Sequence, residues 1–279
     1  MRDEYFISDD EENRINNLDF SMPLLLRDML KGFKWAIRKK NTSVVMIIDG
    51  RSGMGKSTLS FQIGKYCNGN FNLANVYFNP EQFLEGLRNA EPYSVHIFDE
   101  AMLLSNRSAM SQINRAAIQA MSMIRSKNII VIFCINSLFD MDRNLVLSRA
   151  DVLLHVYGDS LTDRGRFMAF FKGQDGIDKL KLLYFFGKKF YDYSKPKSNF
   201  NTTFSAKFVL DEGEEAYERK KQDGVNEFLI GGDRMTSNKI RDSRDNLIRH
   251  LVKEKGFSIE EIAEISKVTT RTIYNILRE

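Results

Sequence analysis

The chain has 279 residues, 43% of them hydrophobic and 28% charged, with a net charge of +4. That composition suits a globular protein with a sizeable core; two cysteines and three scattered histidines argue against a disulfide framework or a zinc cluster. The small net charge permits a polyanionic partner without requiring one, so the placement of the charges has to carry that question.

Residues 1–20 carry Asp3, Glu4, Asp9, Asp10, Glu11 and Glu12, the reverse of a secretory signal's basic start. They predict a solvated arm on a cytoplasmic protein, with contact to a partner as the alternative. From Pro23 to Ile37, the residues Leu26, Met29, Leu30, Phe33 and Ile37 recur at helical spacing. A helix covering a sheet is expected there, with a subunit contact as the other use of that face.

Val44-Val45-Met46-Ile47-Ile48 is the apolar, β-branched run of a strand buried on both faces. Gly50-Arg51-Ser52-Gly53-Met54-Gly55-Lys56-Ser57 follows, and then a helix with Leu59, Phe61 and Ile63 near one face. Strand, glycine-rich loop and helix are the context of a phosphate-binding loop. Its glycines allow backbone conformations that aim successive amides at one phosphate chain, and the helix start adds its positive dipole end. Lys56 would reach the β and γ phosphates, and Ser57 would ligate magnesium. The expected ligands are ATP and Mg²⁺, held by Gly50, Ser52, Gly53, Met54, Gly55, Lys56, Ser57 and Thr58.

Asn75 to Phe78 reads as a short strand, and Glu81 to Leu87 as a helix opened by Asn79 and Pro80. Ser94 to Asp99 is a buried strand ending in Asp99-Glu100. At the carboxyl edge of a parallel sheet, Asp99 is placed to hold a magnesium-bound water and Glu100 to deprotonate the attacking water. Ser105 to Ile124 has helical spacing and ends at Arg125; Ile129 to Ile135 is a further strand, too short to span a bilayer, so no membrane insertion is expected. Asn136 leaves that strand either to sense the γ-phosphate or to cap the following turn. Asp151 to Tyr157 completes a strand–helix alternation that implies a parallel sheet. The strand after Asn136 and the adjacent Asp99-Glu100 pair suggest the order in which an extra strand lies between the phosphate-loop strand and the Asp99 strand.

Beyond Arg164 two more strands are expected, Arg166 to Lys172 and Lys181 to Phe186, joined through Gly173 to Gly176. Lys179, Lys181, Lys188, Lys189, Lys195 and Lys197 interleave with Tyr184, Phe186, Phe190, Tyr191, Tyr193 and Phe200. Such a stretch suits a nucleic-acid strand, or equally a sheet edge whose lysines block aggregation. Residues 205–239 read as a charged helix and linker with a hinge at Gly231-Gly232. After it come a helix through Asn246 to Val252, a capping box at Ser258 and Glu261, and a last helix capped by Thr269. That pattern is a helix-turn-helix whose last helix turns Thr270, Arg271, Tyr274, Asn275 and Arg278 outward, toward DNA phosphates and base edges, with a structural three-helix cap as the alternative.

Residues 43–200 resemble the P-loop ATPases of the FtsK and HerA DNA-pumping group, especially the zonular-occludens-toxin-like ATPases of phages, archaeal viruses and mobile plasmids. Residues 240–279 resemble the resolvase-type helix-turn-helix, with Lys267 where that turn often carries Gly. The first resemblance implies an α/β, RecA-like P-loop ATPase core over 21–204, with Asn136 as the polar residue ending the fourth strand and Arg125 as an arginine finger. Together the two imply an ATP-hydrolysing DNA motor that forms a homo-oligomer, with a hexameric ring as one form, and a small all-α DNA-binding module at its end. The rival reading is an ATP-switched DNA-binding regulator or loader that does not translocate. A small-molecule kinase is disfavoured because no arginine-rich lid follows the core.

Overall fold

The computed structural model describes residues 18–99, 118–120, 123–124, 126–158, 165–266 and 268–278, with the backbone alone at 225, 227–243, 265 and 278. The chain divides into two compact units, Met1–Val225 and Asn226–Glu279.

In the first unit, α1 (Leu24–Lys39) buries Leu26, Leu30 and Ile37 and ends with Arg38 and Lys39 in its last turn, where cations meet the negative end of the helix dipole. It is followed by β1 (Val44–Asp49), α2 (Lys56–Cys67), β2 (Val76–Tyr77) and α3 (Pro80–Arg88). The start of α3 is set by Asn79, whose side chain accepts from the Glu81 amide at 2.8 Å, and by Pro80, which has no amide to satisfy. Next come β3 (Val95–Asp99), β4 (Ile130–Ile135), α4 (Arg143–Ser148), β5 (Val152–Tyr157) and β6 (Arg166–Phe171). Then follow α5 (Lys179–Gly187), β7 (Phe200–Thr203) and the first turns of α6 (Glu214–Lys253).

The seven strands form one sheet in the order β2-β3-β4-β1-β5-β6-β7. β1 is parallel to β4 and β5, with Val44 opposite Ile130 and Met46 opposite Val152. Every residue of β1, β3 and β4 is buried, as expected of central parallel strands covered by helices on both sides. β4 lies between the strand that feeds the glycine loop and the strand that ends in Asp99, and so is the extra strand expected there. This is the RecA-like P-loop order, and it brings the carboxyl ends of β1, β3 and β4 to one edge.

The sheet turns antiparallel at β6, which pairs with β5 and β7. The partner of β6 is thus Phe200–Thr203, and the expected strand over Lys181 to Phe186 is the helix α5. Its buried residues Leu180, Leu183, Tyr184 and Gly187 fall at helical spacing, and Asp178 caps it by accepting from the Lys181 amide at 3.1 Å. The aromatic and leucine content imitates a strand, but the burial has the period of a helix.

Residues 205–225, the first part of the expected charged helix and linker, pack against the rest of the first unit. Gln62 Nε2 donates to the carbonyls of Ser205 and Lys207 at 2.8 and 2.9 Å, Lys65 pairs with Asp211 at 2.5 Å, and Leu210 and Tyr217 belong to the main core. The end of the expected N-terminal arm is packed too: Phe20 is buried, and Asp19 pairs with Lys207 at 2.7 Å.

The second unit is built from the end of α6 with α7 (Ile259–Ser266) and α8 (Thr270–Arg278) around Ile248, Ile262, Ile273 and Ile276. The Ser258 and Glu261 capping box is present in both directions, at 2.8 and 3.2 Å. The backbone is helical through Gly231-Gly232, where the sequence suggests a hinge. Among the described residues no helix is long and apolar enough to cross a membrane.

Candidate nucleotide site

The loop between β1 and α2 is shaped by three glycines with positive φ: Gly50 at 139°, Gly53 at 80° and Gly55 at 97°. At Gly50 a Cβ would also overlap the Val156 carbonyl oxygen of the neighbouring strand, so the position is closed to other residues by space as well as by conformation. Met54 turns its side chain into the core, 4% exposed, which leaves its backbone as the part able to meet a ligand.

Lys56, the first residue of α2, is 4% exposed. Its ammonium donates to the carbonyls of Gly50 at 2.7 Å and Arg51 at 3.1 Å, and to Asn136 Oδ1 at 3.2 Å. Asn136 in turn accepts on its own carbonyl from the Gly50 amide at 3.2 Å. The phosphate-loop lysine and the polar residue ending β4 therefore meet.

The loop after Asn136 is held by residues to which sequence reasoning gave no part in this site. Asp49, the fully buried last residue of β1, accepts from the Leu138 amide at 2.7 Å, from His155 Nδ1 at 2.8 Å and from the Tyr193 hydroxyl. The Tyr193 ring stacks on His155 at 3.6 Å. Burial, and then the Asp49 charge, push the Tyr193 pKa far up, so its hydroxyl remains a donor. This network ties the loop that follows Asn136 to the root of the phosphate loop.

On the opposite side, Asp99 at the end of β3 is 2% exposed. Its Oδ2 accepts from the Tyr217 hydroxyl at 2.9 Å, and that hydroxyl lies 3.2 Å from Ser57 Oγ. Asp99 Oδ1 is buried with no hydrogen-bond partner among the described residues. A buried carboxylate oxygen left unsatisfied next to a serine hydroxyl fits a hard divalent cation that binds through oxygen and water. Burial, and then Asp99, raise the Tyr217 pKa well above its ordinary value.

Ser52, Gly53, Gly55, Lys56, Ser57 and Thr58 line one side of a cavity of about 210 Å³, and Phe208, Glu214, Tyr217, Glu218 and Lys221 face them. The start of α6 thus forms the second wall of the site. Sequence gave no local sign of it: Tyr217 meets Ser57 across 160 residues.

Glu100 and Arg125 lie outside the described residues, as does most of the expected helix from Ser105 to Ile124. The lysine–aromatic stretch does not present one continuous face. Tyr184 is buried, Tyr193 belongs to the Asp49 network and Phe200 packs on the core, while Phe186, Phe190 and Tyr191 are exposed. In the second unit Thr270, Arg271, Tyr274 and Asn275 are exposed on α8, opposite its buried Ile273 and Ile276. Arg249 closes the inner side by donating to the Ile276 carbonyl at 3.0 Å.

No family model matches the sequence, and no curated protein is similar to it. Among solved structures, the RuvB Holliday junction branch migration motor of Thermotoga maritima is similar over 51% of this chain and 48% of its own, at 15% identity and a TM-score of 0.32. A mutant of RuvB from the same organism gives 14% identity and a TM-score of 0.35 over the same shares. The AAA domain of FIGL-1 in complex with ADP gives 14% and 0.32, over 54% of this chain and 62% of that one. The chain thus spans about half of the RuvB structures it matches, and its fold assignment rests on its own strand order and loop.

Proposed function

We propose that this chain is a magnesium-dependent ATPase that acts on DNA as a motor of a mobile element. The observation that carries the catalytic part is the convergence of Lys56, Asn136, Ser57 and Asp99 at the carboxyl ends of three adjacent strands, around a loop whose glycines leave its amides open to phosphate. Lys56 would neutralise the β and γ phosphates, and Asn136 would register the γ-phosphate through its contact with Lys56. Ser57 and Asp99 would hold Mg²⁺, directly and through water, and the cation would neutralise the charge that builds up on the transferred group. Glu100 follows Asp99 directly, and its assigned role is that of the base that takes a proton from the attacking water.

The experiment is equilibrium ATP binding beside turnover. Lys56→Ala should lose binding, whereas Glu100→Gln should bind ATP and not hydrolyse it; equal loss of binding in both would defeat the assignment. Assembly as a homo-oligomeric ring, with Arg125 completing a neighbour's site, belongs to the same proposal.

The exposed set Thr270, Arg271, Tyr274 and Asn275 on a capped helix favours duplex DNA as partner. It serves equally an ATP-switched DNA-binding regulator that does not translocate. Displacement of a triplex strand from duplex DNA during ATP hydrolysis supports the motor; DNA-stimulated hydrolysis without displacement supports the regulator.

A further inference from the structure

Tyr217 joins the two residues assigned to the cation without belonging to either motif. Its ring is held in the core, 4% exposed, with Phe61 at 5.2 Å, Phe78 at 5.6 Å and Phe208 at 6.0 Å between centroids. Its hydroxyl reaches Asp99 Oδ2 at 2.9 Å and Ser57 Oγ at 3.2 Å.

A tyrosine hydroxyl carries one proton. It is aimed at both acceptors, and the carboxylate is the nearer and stronger one, so the contact with Ser57 Oγ is the weaker of the two. Ser57 Oγ then keeps a lone pair for another partner, and Asp99 keeps Oδ1, which is buried and unsatisfied among the described residues.

We propose that Tyr217 is a positioning residue of the divalent-cation site, fixing the Ser57 hydroxyl and the Asp99 carboxylate so that a Ser57 lone pair and Asp99 Oδ1 are left for the cation and its water. The inference rests on the ATPase reading above. A ring enclosed by three aromatic side chains is a fixed part of the core, which argues against a plug that withdraws when the cation enters. It also makes the start of α6 part of the nucleotide site.

The test is titration of the full chain with a fluorescent ADP analogue, in EDTA and over a series of Mg²⁺ concentrations. Tyr217→Phe keeps the ring, and its affinity in EDTA should match the parent within about twofold. The Mg²⁺ concentration that gives half of the metal-dependent gain in affinity should rise about tenfold, the effect of one hydrogen bond to a charged group. In an Asp99→Asn background, adding Tyr217→Phe should raise that concentration by clearly less than tenfold, since only the contact with Ser57 is then lost.

An unchanged Mg²⁺ requirement overturns the inference. So does a lowered one, which would place the hydroxyl in the cation's own position, and so does an equal loss of affinity in EDTA, which would make Tyr217 merely structural. A parent protein that binds no nucleotide under any of these conditions overturns the ATPase reading instead, so the two failures are distinguishable.

Discussion

Asn136 has two neighbours that give it a role beyond ending a strand. Its side chain accepts from Lys56, while its backbone carbonyl accepts from Gly50. A γ-phosphate arriving at Lys56 competes for the ammonium that Asn136 now holds, and the amide is then positioned to meet the phosphate or the attacking water. Asn136→Ala should therefore leave ATP affinity within about threefold while lowering kcat by about 100-fold or more, since removal of one well-placed donor in such a site costs roughly 2.7–4 kcal/mol in the transition state. Steady-state kinetics beside equilibrium binding separates the two; a loss confined to binding would reassign Asn136 to ground-state contact. The residue was legible from sequence because it breaks an apolar run. Asp49, His155 and Tyr193, which hold the loop after it, were not, because their contacts join positions 106 and 144 residues apart.

At the scale of elements, the segment from β1 through α2 could be read directly, because strand, glycine loop and helix are neighbours in sequence and each carries its own pattern. Helix α5 was misread because Leu182, Leu183, Tyr184, Phe185 and Phe186 have strand-like composition, and only burial shows that every third or fourth residue faces inward. Strand β3 offers a test of packing. His96 is 3% exposed, stacked on Tyr77 and held between the Tyr77 hydroxyl at 3.1 Å and Ser94 Oγ at 2.9 Å. Burial, helped by the Lys127 charge, lowers its pKa from 6.5 to about 4. Below pH 6.5 the unfolded chain takes up a proton that the folded strand refuses. The stability is therefore complete above pH 6.5 and is lost as pH falls toward about 4. Between pH 7.5 and pH 5 this one residue should cost about 2 kcal/mol, and His96→Gln should lose correspondingly less over the same interval. Urea denaturation of both proteins at the two pH values measures it; parallel losses would mean that His96 titrates normally.

The chain divides into a unit that carries the candidate nucleotide site and a small three-helix unit. In the second unit the exposed Arg271 and the buried Ile273 are two positions apart on one helix, so the same periodicity that builds its core displays its polar face. Arg271→Ala should weaken duplex binding and reduce the salt slope of log K by roughly one, as expected when one phosphate contact is removed. Fluorescence anisotropy at several salt concentrations reads this, and an unchanged slope would take Arg271 off the phosphates. If the chain assembles as proposed, mixing Arg125→Ala subunits with Glu100→Gln subunits should restore turnover that neither has alone, and no recovery in assemblies shown to be mixed would remove Arg125 from the neighbour's site.

The central claim, a phosphate loop and a cation site that together hydrolyse ATP, is tested most directly by ATP turnover of the purified full chain with and without Mg²⁺, with and without duplex DNA, beside Lys56→Ala. The account predicts turnover that requires Mg²⁺, rises when DNA is added and disappears in Lys56→Ala. Turnover that survives Lys56→Ala, or folded protein that hydrolyses no ATP under any of these conditions, would contradict it.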